Sequence, residues 1–339
     1  MSRNAFRLVP AVFAAALAFG STAARAETPV CAGTDLRAAI VAKEPERWRA
    51  IEARAAGIEN GDAVFWKIEG KAAKTPSWLL GTIHLSDPRV TDLKPPIRKA
   101  LDGARTVALE NTSVLDPKTA GIAYAEGIDA MLFTDGRSLP GVLGPETWAA
   151  TVKAFEARGL PGWAVAGWKP WVVVFGALLY PPCELKRWQA GQDMLDIAIG
   201  KAGRARKVPV VDLETVKDQF SSIDQMSEAE QIALLKSILS IDAQSTDYQE
   251  TSVRFYAAGR IDLLWAFSMD VFARAGADKT AASVMENASF RRNVKMLDAA
   301  RPLIDQGGAF LAVGALHLIG EKGLVRLLRE AGYTVTPVR

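Results

Sequence analysis

Two kinds of apolar pattern make up the chain. Short continuous apolar runs stand near both ends, and longer stretches with apolar residues at helical spacing fill the middle. A run of four to eight apolar residues between turn formers reads as a strand buried on both faces. Trp78–His84, Arg105–Glu110, Val208–Glu214 and Ala309–Val313 are of this kind. Ala63–Glu69 alternates apolar with polar residues and is rich in aromatics, so it predicts a strand. The turn over Gly70–Pro76 then makes it the first arm of a hairpin with Trp78–His84. Thr334–Val338 predicts a last strand. Helices are expected over Asp35–Glu59, divided at Pro45, and over Asp193–Ala202. Ser227 and Glu230 form a capping box ahead of Ile232, Leu235 and Leu239. Thr251–Ala257, Arg260–Arg274, Phe290–Arg301 and Glu321–Ala331 continue the series, the last closed by Gly332. From about Leu115 to Ala190 the pattern is helical with loops. The fold class expected is α/β: a central mixed, largely parallel sheet flanked by helices, with a mostly helical insertion at about 115–300.

Two of the strands end alike. Trp78-Leu-Leu-Gly-Thr-Ile-His84 and Phe310-Leu-Ala-Val-Gly-Ala-Leu-His317 each finish in Gly-x-x-His, and these are the only two histidines. Gly81 and Gly314 let the backbone turn or another group come close. Each histidine then stands at the rim of the sheet, where open α/β sheets place ligands. Two structural histidines bonded to carbonyls would produce the same spacing. Glu110 and Glu214 also close predicted strands. If the sheet is mostly parallel, all four side chains gather at one edge. Two imidazoles and a carboxylate, here His84, His317 and Glu110, are a catalytic metal set with a position left for water. Zn, Mn and Co all suit such donors, so the identity of the divalent ion is open. Glu110 and Glu214 are the candidate catalytic carboxylates. Either could instead pair with Arg105, Arg291 or Arg292, and Glu214 could orient a ligand from behind. HExxH, Gly-x-Ser-x-Gly, the dinucleotide fingerprint and the P-loop are absent.

Composition adds a compartment. Arg3 and Arg7 precede the apolar stretch Leu8–Gly20, and Ala24-Arg25-Ala26 is a small-residue cleavage site. Residues 1–26 therefore read as a signal peptide, leaving a single domain over 27–339 in the periplasm or outside the cell. The apolar stretch is shorter than the ~20 residues a bilayer needs, so no integral span is expected after cleavage. The net charge of +3 is carried by the three arginines of that leader. A neutral mature chain has no basic field for nucleic acid. Two cysteines in an exported protein, Cys31 and Cys183, suggest one disulfide. The oligomeric state is not readable.

These residues resemble the TraB/GumN (Tiki-like) family. The resemblance rests on Trp78–His84, Val107-Ala-Leu-Glu110, Asp212-Leu-Glu-Thr215 with Gln219, Arg292-Asn293, and Val313-Gly-Ala-Leu-His317 with Gly320 and Gly323. It implies an α/β domain related to the erythromycin-esterase and ChaN-like folds. It also implies a metal-dependent peptidase activity on a peptide or protein substrate, with Arg292 and Asn293 supporting His84, Glu110 and His317. A non-catalytic exported protein that binds metal, haem or another ligand, or an envelope accessory protein, is the alternative.

Overall fold

A computed structural model describes residues 29–70 and 73–339. The leader assigned to residues 1–26 lies outside them. Six strands form one sheet in the order β4-β3-β5-β2-β1-β6. They are β1 (Phe65–Glu69), β2 (Ser77–Thr82), β3 (Thr106–Leu109), β4 (Val210–Asp212), β5 (Ala309–Gly314) and β6 (Thr334–Pro337). Strands β4, β3, β5 and β2 run parallel. The hairpin partner β1 lies antiparallel between β2 and β6.

Burial explains this order. The fully apolar β5 sits in the middle, with its first five residues buried. The polar, mostly exposed β6 and the three-residue β4 take the edges, where short polar strands resist pairing with another chain. Helices cover the sheet. Leu36–Lys43 and Pro45–Ala56 divide at Pro45 and pack on Ser245–Ala257 and Ile261–Arg274 through Trp48, Ile51, Phe255 and Phe267. Trp168 and Trp171 are core residues, whereas Trp163 is 65% exposed. Cys31 and Cys183 form the disulfide. Among the described residues, no helix is long and apolar enough to cross a membrane.

Register fixes the functional edge. Thr82 pairs with Gly314, and Leu109 pairs with both Ala312 and Asp212. Beyond the strands the ladder continues, Leu213 N–H donating to Leu109 O and Glu214 N–H to Glu110 O. Four parallel neighbours thus end at one level, and the chain leaves each of them at the same side. Strands β2, β3 and β4 are shorter than their apolar runs. Glu110 and Glu214 lie just past them, His84 lies in the following bend, and His317 lies in the 3-10 turn Ala315–His317.

Candidate active site

Gly314 is the centre of the site. A methyl group built on it would stand 3.1 Å from Glu110 Oε1, 3.6 Å from His84 Nε2 and 3.6 Å from His317 Cδ2. The three side chains therefore close on one point from β3, β2 and β5. Gly81 plays a different part. A methyl group there would meet Leu318 Cδ2 at 2.9 Å and the Ala315 α-carbon at 3.0 Å. Its bare backbone lets the second Gly-x-x-His turn pack against β2.

His84 is held from a helix that no motif marks. Asp196, in the first turn of Leu195–Ala205, approaches His84 Nδ1 at 2.9 Å with one oxygen. Its other oxygen accepts from Thr82 Oγ1 at 2.6 Å. With Nδ1–H directed to Asp196, Nε2 faces Gly314. The Asp196 carboxylate, opposed by burial, raises the imidazole from its ordinary value to about 9. The ring is nevertheless 45% exposed, so it sits deep among protein groups yet open to water. Ligation at Nε2 requires loss of the proton held there.

His317 has the opposite environment. It is buried, and its Nδ1 lies 2.6 Å from Asn293 Oδ1. Asn293 Nδ2 donates to the His317 and Lys322 carbonyls at 3.1 and 2.7 Å. Burial pushes this imidazole down to about 3, against the pull of Glu110. It is a neutral ring with Nε2 3.6 Å from Glu110 Oε1. A π-helical turn, Glu286–Phe290, precedes the helix Arg291–Gln306. Such wide turns shift the phase of a helix and recur at functional sites. Here the consecutive residues Arg292 and Asn293 are both buried against the sheet edge.

Arg292 lies between two carboxylates. Its Nη2 donates to Glu110 Oε2 at 2.6 Å. Its Nε is 3.0 Å from each Glu214 oxygen, and Nη2 also contacts Glu214. Its Nη1 reaches the Ala288 carbonyl. Glu110 Oε1 accepts the Gly314 N–H at 2.5 Å. Burial would raise the Glu110 carboxyl, but Arg292, both imidazoles and the Gly314 amide outweigh it and hold the group well below the usual range. Glu214 is pushed up to about 7, chiefly by burial, against the hydrogen bonds and charge of Arg292. The ion-pair expectation for the two glutamates is met by Arg292. No hydrogen bond or ion pair links Glu214 to either imidazole, so it acts on the site through Arg292.

His84 presents Nε2 and His317 its Cδ2 edge to the space over Gly314, each ring is fixed from behind through Nδ1, and Glu110 offers a carboxylate oxygen to the same space. Fixing a histidine through its second nitrogen is how metal-ligating imidazoles are oriented. Imidazole nitrogen and carboxylate oxygen are donor types that divalent ions accept. Among the described residues, no group of three His, Cys, Asp or Glu side chains is arranged to hold a metal ion, and the Glu110 oxygens are engaged by the Gly314 amide and Arg292. A shallow depression of about 390 Å³ lined by Glu59, Asn60, Arg326, Arg329 and Glu330 involves none of these side chains. Asp196 is the residue that sequence patterns did not single out. Its one local signal is an acid inside Leu195-Asp-Ile-Ala-Ile199, where the flanking residues face inward.

No curated protein and no solved structure gave a significant match to the chain. The profile of the TraB/PrgY/gumN family matches residues 64–337, a span that holds both Gly-x-x-His turns, Glu110, Asp196, Glu214 and the Arg292-Asn293 pair. The chain belongs to the TraB/PrgY/gumN family.

Proposed function

We propose that this chain is an exported metal-dependent hydrolase acting on peptide bonds, with His84, His317 and Glu110 holding the divalent ion. The observation that carries the reading is the convergence of His84 Nε2, the His317 ring and a Glu110 carboxylate oxygen on Gly314, with His317 Nε2 3.6 Å from that oxygen. When bound, a divalent ion supplies Lewis-acid polarisation of a substrate carbonyl and makes water a nucleophile near neutral pH. The protein groups divide the remaining work. Buried His317 and Asn293 form the rigid wall. His84, open to solvent and backed by Asp196 at Nδ1, would ligate through its deprotonated Nε2 on the side from which substrate enters. Arg292 keeps Glu110 ionised and in place, and Glu214 holds Arg292.

The His84–Asp196 contact also supports a second reading, in which this pair acts as a general base without metal. The test is metal analysis of protein recovered from its native compartment, followed by peptide-library cleavage with and without chelator. Loss of cleavage on chelation, restored by Zn, Mn or Co, supports the first reading. Undiminished cleavage by metal-free protein sinks it and favours the second. Bound metal without cleavage of any peptide would make the protein a binding module. His84→Ala and His317→Ala should each abolish metal binding, because one imidazole and one carboxylate hold a catalytic ion poorly.

A further inference from the structure

The segment Pro181-Pro-Cys-Glu184 is not explained by the site chemistry. It begins the helix Pro182–Gln189, and Cys183 ties that helix to the start of the chain. Glu184, the next residue, is completely buried. A carboxylate there would be strongly destabilising unless saturated with donors. Its Oε1 accepts from the Ser86 amide at 2.5 Å, the Ser86 hydroxyl at 2.7 Å and Trp188 Nε1 at 3.2 Å. Its Oε2 accepts from Arg187 Nη1 at 3.1 Å and Gln249 Nε2 at 3.2 Å. Arg187 in turn donates to the Pro29 carbonyl at 2.9 Å, beside the disulfide.

Ser86 stands two residues after His84. Strand β2 ends at Thr82, so the bend carrying the imidazole has lost the sheet ladder. Three contacts replace it. Asp196 takes the ring, the Leu195 amide takes the Leu85 carbonyl at 3.1 Å, and Glu184 takes both donors of Ser86. Beyond Ser86, Asp87 is gripped by Arg89, which also reaches Glu250. Glu184 connects the bend to the disulfide-stapled helix through a buried charge that accepts both Ser86 donors, and Arg187 of the same helix adds a longer ion pair to Asp87 at 3.6 Å.

We propose that Glu184 is a positioning residue for His84, and that the Cys31–Cys183 disulfide holds the helix from which it acts. His317 has no such strut, being fixed through Asn293. The importance of His84 rests on the hydrolase reading, but the ring's position can be read without metal or turnover, so the two can fail separately.

The chain has two histidines, so histidine-selective ¹⁵N labelling gives one set of ring signals for each. Spectra and hydrogen exchange should be compared for the parent, Glu184→Gln, Ser86→Ala, and the Cys31→Ser/Cys183→Ser double variant. Asp196→Asn identifies the His84 signals. The expected result is that Glu184→Gln and the cysteine double variant shift or broaden the His84 signals and speed exchange at Leu85–Asp87 at least tenfold. The His317 signals should keep their parent positions. Ser86→Ala, which removes one hydroxyl, should give the same change to a smaller extent and remains informative if Glu184→Gln fails to fold. A purely structural Glu184 would lower the thermal midpoint while leaving the ring signals alone, or would move both histidines together. Either pattern overturns the proposal.

Discussion

Gly314 contributes no side chain, yet the proposed chemistry depends on what it leaves empty. Its φ of −51° and ψ of 136° are open to any residue, so the backbone does not demand glycine. A methyl group there would nonetheless enter the point shared by His84, His317 and Glu110. Gly314→Ala should therefore fold. The gain of about 0.4–1 kcal/mol from a stiffer unfolded chain offsets the crowding of Glu110. Metal binding and hydrolysis should fall by at least tenfold, measured by isothermal titration and peptide cleavage beside a thermal melt. Parent-level binding in a folded Gly314→Ala protein would show that the three side chains do not work at this point. Gly81→Ala should behave conversely. Its methyl group would strike the Ala315 backbone and Leu318, and overpacking of this kind costs about 1–3 kcal/mol.

At the scale of elements, the helix Leu195–Ala205 matters because it delivers Asp196 to His84. The imidazole is raised from 6.5 to about 9, chiefly by that carboxylate. A raised folded-state value means that the pair stabilises the fold in full below about pH 6.5 and loses this contribution as pH rises through about 9. Since the ring is 45% exposed, water screens the pair and its contribution is about 1 kcal/mol or less. Asp196→Asn should thus melt slightly below the parent at pH 6 and level with it at pH 10. The same variant should weaken divalent-ion binding by about 10–100-fold, the usual effect of losing a group that orients a ligating histidine. An equal gap in melting temperature at both pH values would rule out a charge pair.

For the whole molecule, the disulfide joins residues separated by 152 positions. Loop-closure entropy assigns such a link about 4–5 kcal/mol, through restriction of the unfolded chain. Denaturant titration of the Cys31→Ser/Cys183→Ser variant should show a loss up to that size. On the proposed export, the mature protein should begin at Glu27 and weigh two hydrogens less than its reduced form. Two alkylatable thiols in the unreduced, denatured protein would refute the bond.

Local pattern determined the elements. Apolar runs ending in Gly-x-x-His marked β2 and β5, the run before Glu110 marked β3, and the Ser227 capping box marked a helix start that forms with both reciprocal bonds. Such features depend on neighbours a few residues apart, and a sequence displays those directly. The cysteine count likewise left a single pairing. Tertiary structure alone decided which strands are neighbours and which distant groups share a charge. His84 meets Asp196 across 112 positions, and Arg292 meets Glu110 across 182. Asp196 and Glu184 sit in ordinary helical contexts, so nothing local distinguishes them from solvated acids. Glu110 and Glu214 both read as strand-end carboxylates, Glu110 in the metal set and Glu214 able to orient a ligand from behind. They differ because β3 lies beside β5 and its Gly314, whereas β4 is the edge strand and turns its glutamate onto Arg292. Strand order is set by which apolar faces bury one another across the whole chain, and that competition has no local signature.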